Sequence, residues 1–136
     1  MVDMKNELDG KVAIVTGSAR NIGRATVEEL ARAGASVVVN SVQARDLCEE
    51  VADGINASGG KAIVAMADVR DPEQVKVLAK AATDEFGGID IVVHNAAVRS
   101  NQSFLDIDHE TFSHIIDLSI HGCFHLAKAT TPSMIA

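Results

Sequence analysis

Short aliphatic segments alternate with longer amphipathic segments along the chain, and this alternation restricts the possible folds more than any other feature. Four runs rich in Val, Ile and Ala lack the every-second-residue polarity of a half-exposed strand: residues 12–16, 36–40, 62–66 and 89–93. Such runs are typical of strands buried on both faces of a parallel sheet. The segments between them have apolar residues at helical spacing. The pattern predicts a βαβαβαβ chain with right-handed crossovers.

The predicted helices have apolar stripes and recognisable ends. The stripes comprise Ile22, Thr26, Leu30 and Ala33 in the first helix, Leu47, Val51, Ala52 and Ile55 in the second, and Val75, Leu78, Ala79, Ala82 and Phe86 in the third. Glycines at 34, 59–60 and 87–88 follow them, where a left-handed residue closes a helix. Asp71-Pro72-Glu73 predicts an N-cap and a first helical turn. A fourth, long helix is predicted from about Asp108 onward.

Length and composition predict one α/β domain over residues 1–136, with no linker inside it. Hydrophobic residues make up 47% of the chain and Trp and Tyr are absent, so the core must be aliphatic. A net charge of −7 disfavours nucleic acid and anionic membranes as partners. Cys48 and Cys123 are predicted to be free thiols, and the absence of a signal-like or membrane-length run predicts a cytoplasmic protein. No metal site is predicted, because His121 and His125 lack further ligands.

The first predicted strand runs directly into a turn of small residues, 16–24, that opens the first helix. The unpaired N–H groups of a helix N-terminus and the helix dipole favour a negatively charged group. Gly17 and Gly23 let the backbone approach a ligand and let the helix pack on the strand. A glycine turn between a buried strand and a helix predicts a dinucleotide diphosphate site, and an ordinary tight turn is the alternative.

The segment Thr16-Gly17-Ser18-Ala19-Arg20-Asn21-Ile22-Gly23 resembles the TGxxxGxG turn of the short-chain dehydrogenase/reductase family. Thr16, Gly17 and Gly23 match the motif, and Asn21 replaces its middle glycine. Asn tolerates a left-handed conformation better than other non-glycine residues, so the turn is expected to keep its shape. The spacing disfavours the extended, epimerase-like branch. The resemblance implies a Rossmann-type doubly wound parallel sheet with strand order 3-2-1-4 and a nicotinamide dinucleotide cofactor.

The choice of cofactor depends on the end of the second strand. In this kind of fold an acid there binds the ribose 2′-hydroxyl and repels a 2′-phosphate. The chain instead has the neutral residues Asn40 and Ser41, and Arg20 stands in the glycine turn, where related NADP enzymes place a basic residue. Arg45 is either an assisting cation or a solvated side chain. These residues favour NADP(H) over NAD(H).

Two later segments also match the family. Asp68-Val69 follows the third strand, where the family's Asp hydrogen-bonds the adenine amino group, and an ordinary turn acid is the alternative. His94-Asn95-Ala96-Ala97 resembles the family's NNAG, which supports the sheet and lies along the cofactor. Ala97 replaces Gly, so its backbone must avoid positive φ. The predicted cofactor site comprises Gly17, Arg20, Asn21, Ile22, Gly23, Asn40, Ser41, Asp68, Val69, Asn95, Ala96 and Ala97.

The resemblance implies hydride transfer between the nicotinamide and a ketone or secondary alcohol. The family uses a Tyr acid/base, an assisting Lys, a Ser that orients the substrate oxygen, and an Asn that holds a relay water. That Asn belongs to an N-x-x-G pattern, matched here by Ser119-Ile120-His121-Gly122, so Ser119 takes its position with a less directional hydroxyl. The chain contains no Tyr. We therefore expect an enzyme whose Ser-Tyr-Lys part lies outside these 136 residues, which are inactive alone.

Two other functions stay open at this point. One is a non-catalytic dinucleotide-binding or sensor protein, in which Ser119 and Ala97 reflect lost catalysis. A Tyr-x-x-x-Lys pattern downstream distinguishes the enzyme from this alternative. The other is an unrelated binding module of flavodoxin type, which would lack Asn95 and the glycine turn in these places.

The fourth strand and the last helix predict further contacts. In the order 3-2-1-4 the fourth strand lies at an edge, yet it lacks the charges or proline that protect natural edges. The last helix is apolar over more than one face, and in the family it belongs to a dimer interface. The sequence thus predicts a native chain of about 250 residues, typical of such domains, and a homodimer or homotetramer formed through the last helix.

Overall fold

A computed structural model describes residues 6–136, and within them strands and helices alternate as predicted. The strands are β1 (Val12–Val15), β2 (Ser36–Val39), β3 (Lys61–Val64) and β4 (Ile91–Val93). The helices are α1 (Asn21–Arg32), α2 (Arg45–Ala57), α3 (Pro72–Phe86), α4 (His109–Ile116) and α5 (Gly122–Ile135). Strand β4 begins two residues later than predicted; before it, the N–H of the buried Ile89 donates to Ser133 Oγ at 3.1 Å and not to a neighbouring strand.

The four strands form one parallel sheet in the order β3-β2-β1-β4, which confirms the predicted Rossmann-type topology. The register starts at Val12↔Ser36 between β1 and β2 and at Ala13↔Ile91 between β1 and β4. Because all the strands run in the same direction, the segments that follow them meet at the carboxyl edge of the sheet. The glycine turn and the loops after β2, β3 and β4 therefore lie together.

Successive residues of one strand are buried against different helices. In β1, Ala13 and Val15 belong to the core formed with α1 and α2, whereas Val12 and Ile14 belong to the core formed with α3 and α5. Helices thus cover both faces of the sheet. This two-sided burial is the physical reason why the strand segments show no polar alternation.

The ends of α3 follow the signals in the sequence. At its start, the Asp71 carboxylate accepts hydrogen bonds from the backbone N–H groups of Glu73 (2.9 Å) and Gln74 (3.4 Å). At its end, Gly87 has a φ of 88° and its N–H donates to the Thr83 carbonyl at 2.9 Å. These contacts satisfy backbone groups that a helix leaves unpaired at its ends.

The last helix is not the single α-helix predicted from Asp108. A π-helical turn, Asp117–His121, separates α4 from α5. A Cβ added at Gly122, the first residue of α5, would lie 2.7 Å from Val69 Cγ2, so the helix passes very close to the loop after β3. The extra residue of a π-helical turn changes the register of the buried positions, which apolar spacing alone does not reveal.

Helices α4 and α5 and the π-helical turn between them leave much apolar surface uncovered. No residue of α4 is buried, and Phe112, Ile120 and Phe124 are each more than half exposed. None of the helices within residues 6–136 has both the length and the apolar character needed to cross a membrane.

Candidate nucleotide-binding site

A cavity of about 1050 Å³ lies at the carboxyl edge of the sheet. Each strand contributes to it through the segment that follows: Gly17 and residues 20–23 after β1, residues 40–44 after β2, Ala67, Val69 and Arg70 after β3, and residues 95–99 after β4. His114 and Leu118 close one side. This volume slightly exceeds the usual range for small-molecule sites, about 300–1,000 Å³, and leaves room for a long ligand.

The glycine turn has the conformation that its sequence predicts. Gly17 and Asn21 have φ of 63° and 53°, so Asn21 adopts the left-handed conformation expected where the motif has a glycine. A Cβ added at Gly23 would lie 2.2 Å from the Gly17 carbonyl oxygen and 2.5 Å from Asn95 Nδ2. Only a residue without a side chain fits there, and the first turn of α1 therefore packs directly on Gly17 and Asn95.

Ile22 is a correction to the predicted apolar stripe of α1. Its side chain is 74% exposed and lines the cavity, whereas Gly23, Val27 and Ala31 are the buried residues of the helix. The buried stripe begins one residue later than predicted, because the close contact at Gly23 sets which side of the helix faces the sheet.

Asn95 holds the turn from the neighbouring strand. Its Nδ2 donates to the carbonyl oxygens of Thr16 (3.1 Å) and Gly17 (3.0 Å). Thr16 Oγ1 in turn accepts the backbone N–H groups of Asn95 and Ala96, both at 3.1 Å. These hydrogen bonds fix the turn before any ligand arrives. Ala97 lines the cavity and is not among the described residues with positive φ, as predicted.

Asn40 has a structural task that the sequence did not reveal. It is 1% exposed, its Oδ1 accepts the Gly17 N–H at 3.3 Å, and its Nδ2 donates to the carbonyl oxygens of Ala65 (2.9 Å) and Ala67 (3.3 Å). Both amide hydrogens are thereby used inside the protein. The half-buried Ser41 next to it accepts the Ala44 N–H at 3.3 Å, and its own hydroxyl hydrogen is left for a ligand.

The N-terminus of α1 lacks the groups that usually satisfy a helix start. Arg20 occupies the N-cap in an extended conformation, no side chain caps the helix, and its first turn has no acid. The N–H groups of the first turn therefore point toward the cavity without an internal acceptor.

The charged side chains that line the cavity are all arginines. Among the described residues, Arg20, Arg70 and Arg99 line it together with His114, and no Asp or Glu does. None of the ion pairs within residues 6–136 involves Arg20. The chain as a whole carries a net charge of −7, so this local excess of cations is opposite to the overall balance. It favours a ligand with several negative charges.

Arg45 is outside this group, because it does not line the cavity and its Nη1 lies 3.6 Å from Glu49 Oε1 on the same helix. This position favours a solvated side chain for Arg45 over a cation that assists cofactor binding.

Asp68 does not line the cavity, although Val69 and Arg70 do. Its carboxylate is bound by the guanidinium of Arg70, with Nη2 2.6 Å from Oδ2 and Nε 3.0 Å from Oδ1. This hydrogen-bonded pairing lowers the pKa of Asp68, against the opposing effect of its partial burial. The sequence pattern predicted a cofactor contact for Asp68 and did not identify its partner Arg70.

Ser119 lies in the π-helical turn beside Leu118, which lines the cavity, but it is not itself a lining residue. The sequence also missed His94, whose two ring nitrogens are buried without a hydrogen-bond partner among the described residues. Arg70, Arg99 and His114 were missed as well. The available signal was their position, since His94 directly follows β4 and Arg70 and Arg99 lie in the loops after β3 and β4. No cluster of three or more potential metal ligands occurs within residues 6–136.

Comparisons with known proteins agree with this geometry. A family model described as short chain dehydrogenase matches residues 11–136. A short chain dehydrogenase of Claviceps purpurea is 44% identical over 89% of this chain and 46% of its own length. Elsinochrome reductase 1 of Elsinoe fawcettii is 42% identical over 90% of this chain and 46% of its own length. The chain spans about half the length of these relatives.

Solved structures show the same fold. The crystal structure of a short chain dehydrogenase from Burkholderia cenocepacia in complex with NADP superposes with a TM-score of 0.90 and 31% identity. The match covers 95% of this chain and 53% of that one.

Proposed function

Because this chain belongs to the short-chain dehydrogenase family, we propose that it is the cofactor-binding part of an NADP(H)-dependent oxidoreductase acting on a ketone or secondary alcohol. The observation that carries the proposal is the cavity, in which an uncapped helix N-terminus and three Arg side chains face one space with no acid. A dinucleotide with a diphosphate and a 2′-phosphate has the complementary charge.

The residues present fit such a cofactor. We assign the diphosphate to the N–H groups of Asn21, Ile22 and Gly23, because these residues line the cavity and form the uncapped first turn of α1. Arg20 and Ser41 are the groups available for the 2′-phosphate. Asn40 supports NADP(H) indirectly, since a neutral residue stands where an acid would repel that phosphate.

When bound, the nicotinamide gives or takes a hydride, and this chain's residues bind and orient the cofactor. Asn95, Thr16 and Asn40 hold the turn rigid, so that little ordering is needed on binding. Ser119 occupies the position of the family's relay Asn and is a candidate to hold a water through its hydroxyl.

The chain has no Tyr, so we propose that catalysis needs a further Ser-Tyr-Lys part and that residues 1–136 alone are inactive. The reductase and dehydrogenase names of the relatives favour this reading over a non-catalytic sensor. The uncovered apolar surface of α4 and α5 supports the proposal of a homodimer or homotetramer formed through these helices. A cytoplasmic location stays a prediction from the sequence.

Titration with NADPH and with NADH, followed by the fluorescence of the reduced nicotinamide, tests the cofactor proposal. We expect saturable binding of both, with the lower Kd for NADPH. A lower Kd for NADH contradicts the NADP(H) assignment, and no binding of either contradicts the proposed function.

A further inference from the structure

Strand β1 lies between β2 and β4, so the loops after these two strands leave the sheet on opposite sides of the glycine turn. Val15, the last residue of β1, pairs with Val39 of β2 on one side and with Val93 of β4 on the other. Neighbouring strands lie about 4.8 Å apart, so the two loops begin roughly 10 Å apart. A dinucleotide whose diphosphate lies on the turn therefore places its two halves beside different loops.

The loop after β2 identifies the half of the dinucleotide that faces it. In this kind of fold the residue at the end of β2 meets the ribose of the adenosine, and Arg20 and Ser41 are the proposed contacts of its 2′-phosphate. The nicotinamide then lies on the other side of the turn, beside the loop after β4, where the strand order reverses. A substrate must approach on this side to exchange a hydride with the nicotinamide.

The negative charges of the cofactor are matched without Arg99. The diphosphate is assigned to the first N–H groups of α1 and the 2′-phosphate to Arg20, and Arg70 is already bound to the Asp68 carboxylate. Arg99 is exposed and lines the same cavity from the loop after β4. None of the hydrogen bonds and ion pairs found among residues 6–136 involves its side chain. One arginine on the nicotinamide side is thus left without an internal partner.

The acids of the loop that carries Arg99 are engaged elsewhere. Asp106 accepts the Ser103 hydroxyl at 2.5 Å. Asp108 caps α4 by accepting the Thr111 N–H at 2.7 Å. Since no Asp or Glu of the described chain lines the cavity either, the charge of Arg99 is available to a ligand.

We infer that Arg99 selects substrates that carry an anionic group, a carboxylate or a phosphate, near the ketone or secondary alcohol that reacts. The inference rests on the proposed function and specifies the substrate class of the same site. Two parallel N–H groups of a guanidinium match two oxygens of either anion, which gives a strong charge-assisted contact. Neutral ketones of similar shape lose this contact and should bind more weakly.

The first test locates Arg99 beside the nicotinamide. The nicotinamide fluorescence of NADPH bound to the chain is quenched with iodide, an anion, and in parallel with neutral acrylamide, at constant ionic strength. An unpaired cation attracts iodide to the ring, so the ratio of iodide to acrylamide quenching should fall about twofold in Arg99→Ala. Arg99→Lys keeps the charge and should keep the ratio. An equal ratio in Arg99→Ala and the wild type overturns the inference.

The second test uses pairs of ketones that differ in charge. Calorimetry on the NADPH-saturated chain gives Kd for 2-oxobutyrate and its methyl ester, and for dihydroxyacetone phosphate and dihydroxyacetone. We expect the anion of at least one pair to bind about tenfold more tightly than its neutral partner, and this preference to disappear in Arg99→Ala. The pair that shows it distinguishes a carboxylate from a phosphate. Anions that bind no more tightly than their neutral partners, or a preference that persists in Arg99→Ala, overturn the inference.

Cofactor affinity distinguishes a substrate contact from a cofactor contact. Arg99→Ala should weaken NADPH binding by no more than about threefold, against a loss of roughly tenfold or more in Arg20→Ala. A loss in Arg99→Ala as large as that in Arg20→Ala would assign Arg99 to the cofactor and overturn the inference.

Arg32→Ala, which removes an arginine paired with Glu29 at the far end of α1, is the matched control and should behave as the wild type in every measurement. Circular dichroism of each variant checks that the fold is kept. A chain that binds NADPH but shows no effect of Arg99 contradicts this inference alone, whereas a wild-type chain that binds neither NADPH nor NADH contradicts the proposed function with it.

Discussion

The N-termini of α1 and α3 both have unpaired backbone N–H groups, but only that of α3 is capped by side chains. In α3, Asp71 accepts two backbone N–H groups, Pro72 removes a donor, and Glu73 places an acid in the first turn. In α1 the corresponding end has an arginine at the N-cap, no side-chain cap and no acid. Three groups that stabilise one helix are missing from the other, and only α1 opens on the cavity.

This difference shows that a missing N-cap can indicate an anion-binding site. A helix start without a cap leaves donors unsatisfied, which lowers stability unless an external group accepts them. The turn before α1 is nonetheless held by Asn95 and Asn40 through side-chain hydrogen bonds. The molecule thus keeps the turn rigid while leaving the first N–H groups of α1 open, which is the arrangement that an anionic ligand requires.

The largest expected effect comes from filling the space at the α1 N-terminus. In Gly23→Ala the new Cβ would lie 2.2 Å from the Gly17 carbonyl oxygen, so the turn must move. We expect NADPH binding to weaken about a hundredfold or more and stability to fall by about 1–3 kcal/mol. Fluorescence titration and thermal unfolding measure the two effects.

Gly54→Ala in α2 is the matched control for this substitution, because a Cβ there meets nothing within 4 Å. It should stabilise the protein by about 0.5–1 kcal/mol and leave NADPH binding unchanged. Equal affinity in Gly23→Ala and the wild type would contradict the role given to the turn.

The next effect comes from making the α1 N-terminus resemble that of α3. Arg20→Asp places a carboxylate at the N-cap, so we expect a higher Tm without ligand, together with about a hundredfold loss of NADPH affinity. Arg32→Asp makes the same charge change at the C-terminal end of the helix, where the dipole disfavours it, and should lower Tm without affecting binding. Unchanged NADPH affinity in Arg20→Asp would contradict the proposal that the uncapped N-terminus of α1 binds the cofactor.

A smaller and more selective effect is expected from Arg20→Ala. Loss of a charge-assisted contact should weaken NADPH roughly tenfold to a hundredfold, while NADH changes by no more than about twofold. Arg45→Ala, which removes a side chain directed at Glu49, serves as the control. Titrations of Arg20→Ala with NADPH and with NADH measure the two affinities. An equal loss of affinity for both would mean that Arg20 contacts the shared diphosphate and not the 2′-phosphate.

The smallest effect concerns α3 and its pH dependence. Hydrogen bonding from the Glu73 N–H, and then from Gln74, lowers the pKa of Asp71. The stabilisation by the cap is therefore complete above the ordinary carboxyl pKa and is lost as the pH falls through the lowered value. In Asp71→Asn the Tm should be a few degrees lower at neutral pH, and this difference should shrink below about pH 4. NADPH binding at neutral pH should not change. Thermal unfolding across the pH range measures the Tm difference between Asp71→Asn and the wild type, and a difference that stays constant with pH contradicts the prediction.

Much of the fold was predictable because it depends on local patterns. Apolar runs without alternation identified strands covered on both faces, and the prediction of Asn21 in a left-handed conformation needed only its place in the turn. The π-helical turn and the exposed Ile22 were not predictable, because each depends on a close contact made by a glycine, Gly122 with Val69 and Gly23 with Gly17.

The sequence by itself determined the order of strands and helices, the parallel sheet and the glycine turn, since these follow from burial periodicity and from the conformations open to each residue. Only the tertiary structure decided what Asn40 and Asp68 do. Asn40 holds the turn, and Asp68 is committed to Arg70. A hydrogen bond links whichever groups the folded strands bring together, and the strand ends that meet at the cavity are more than twenty residues apart along the chain.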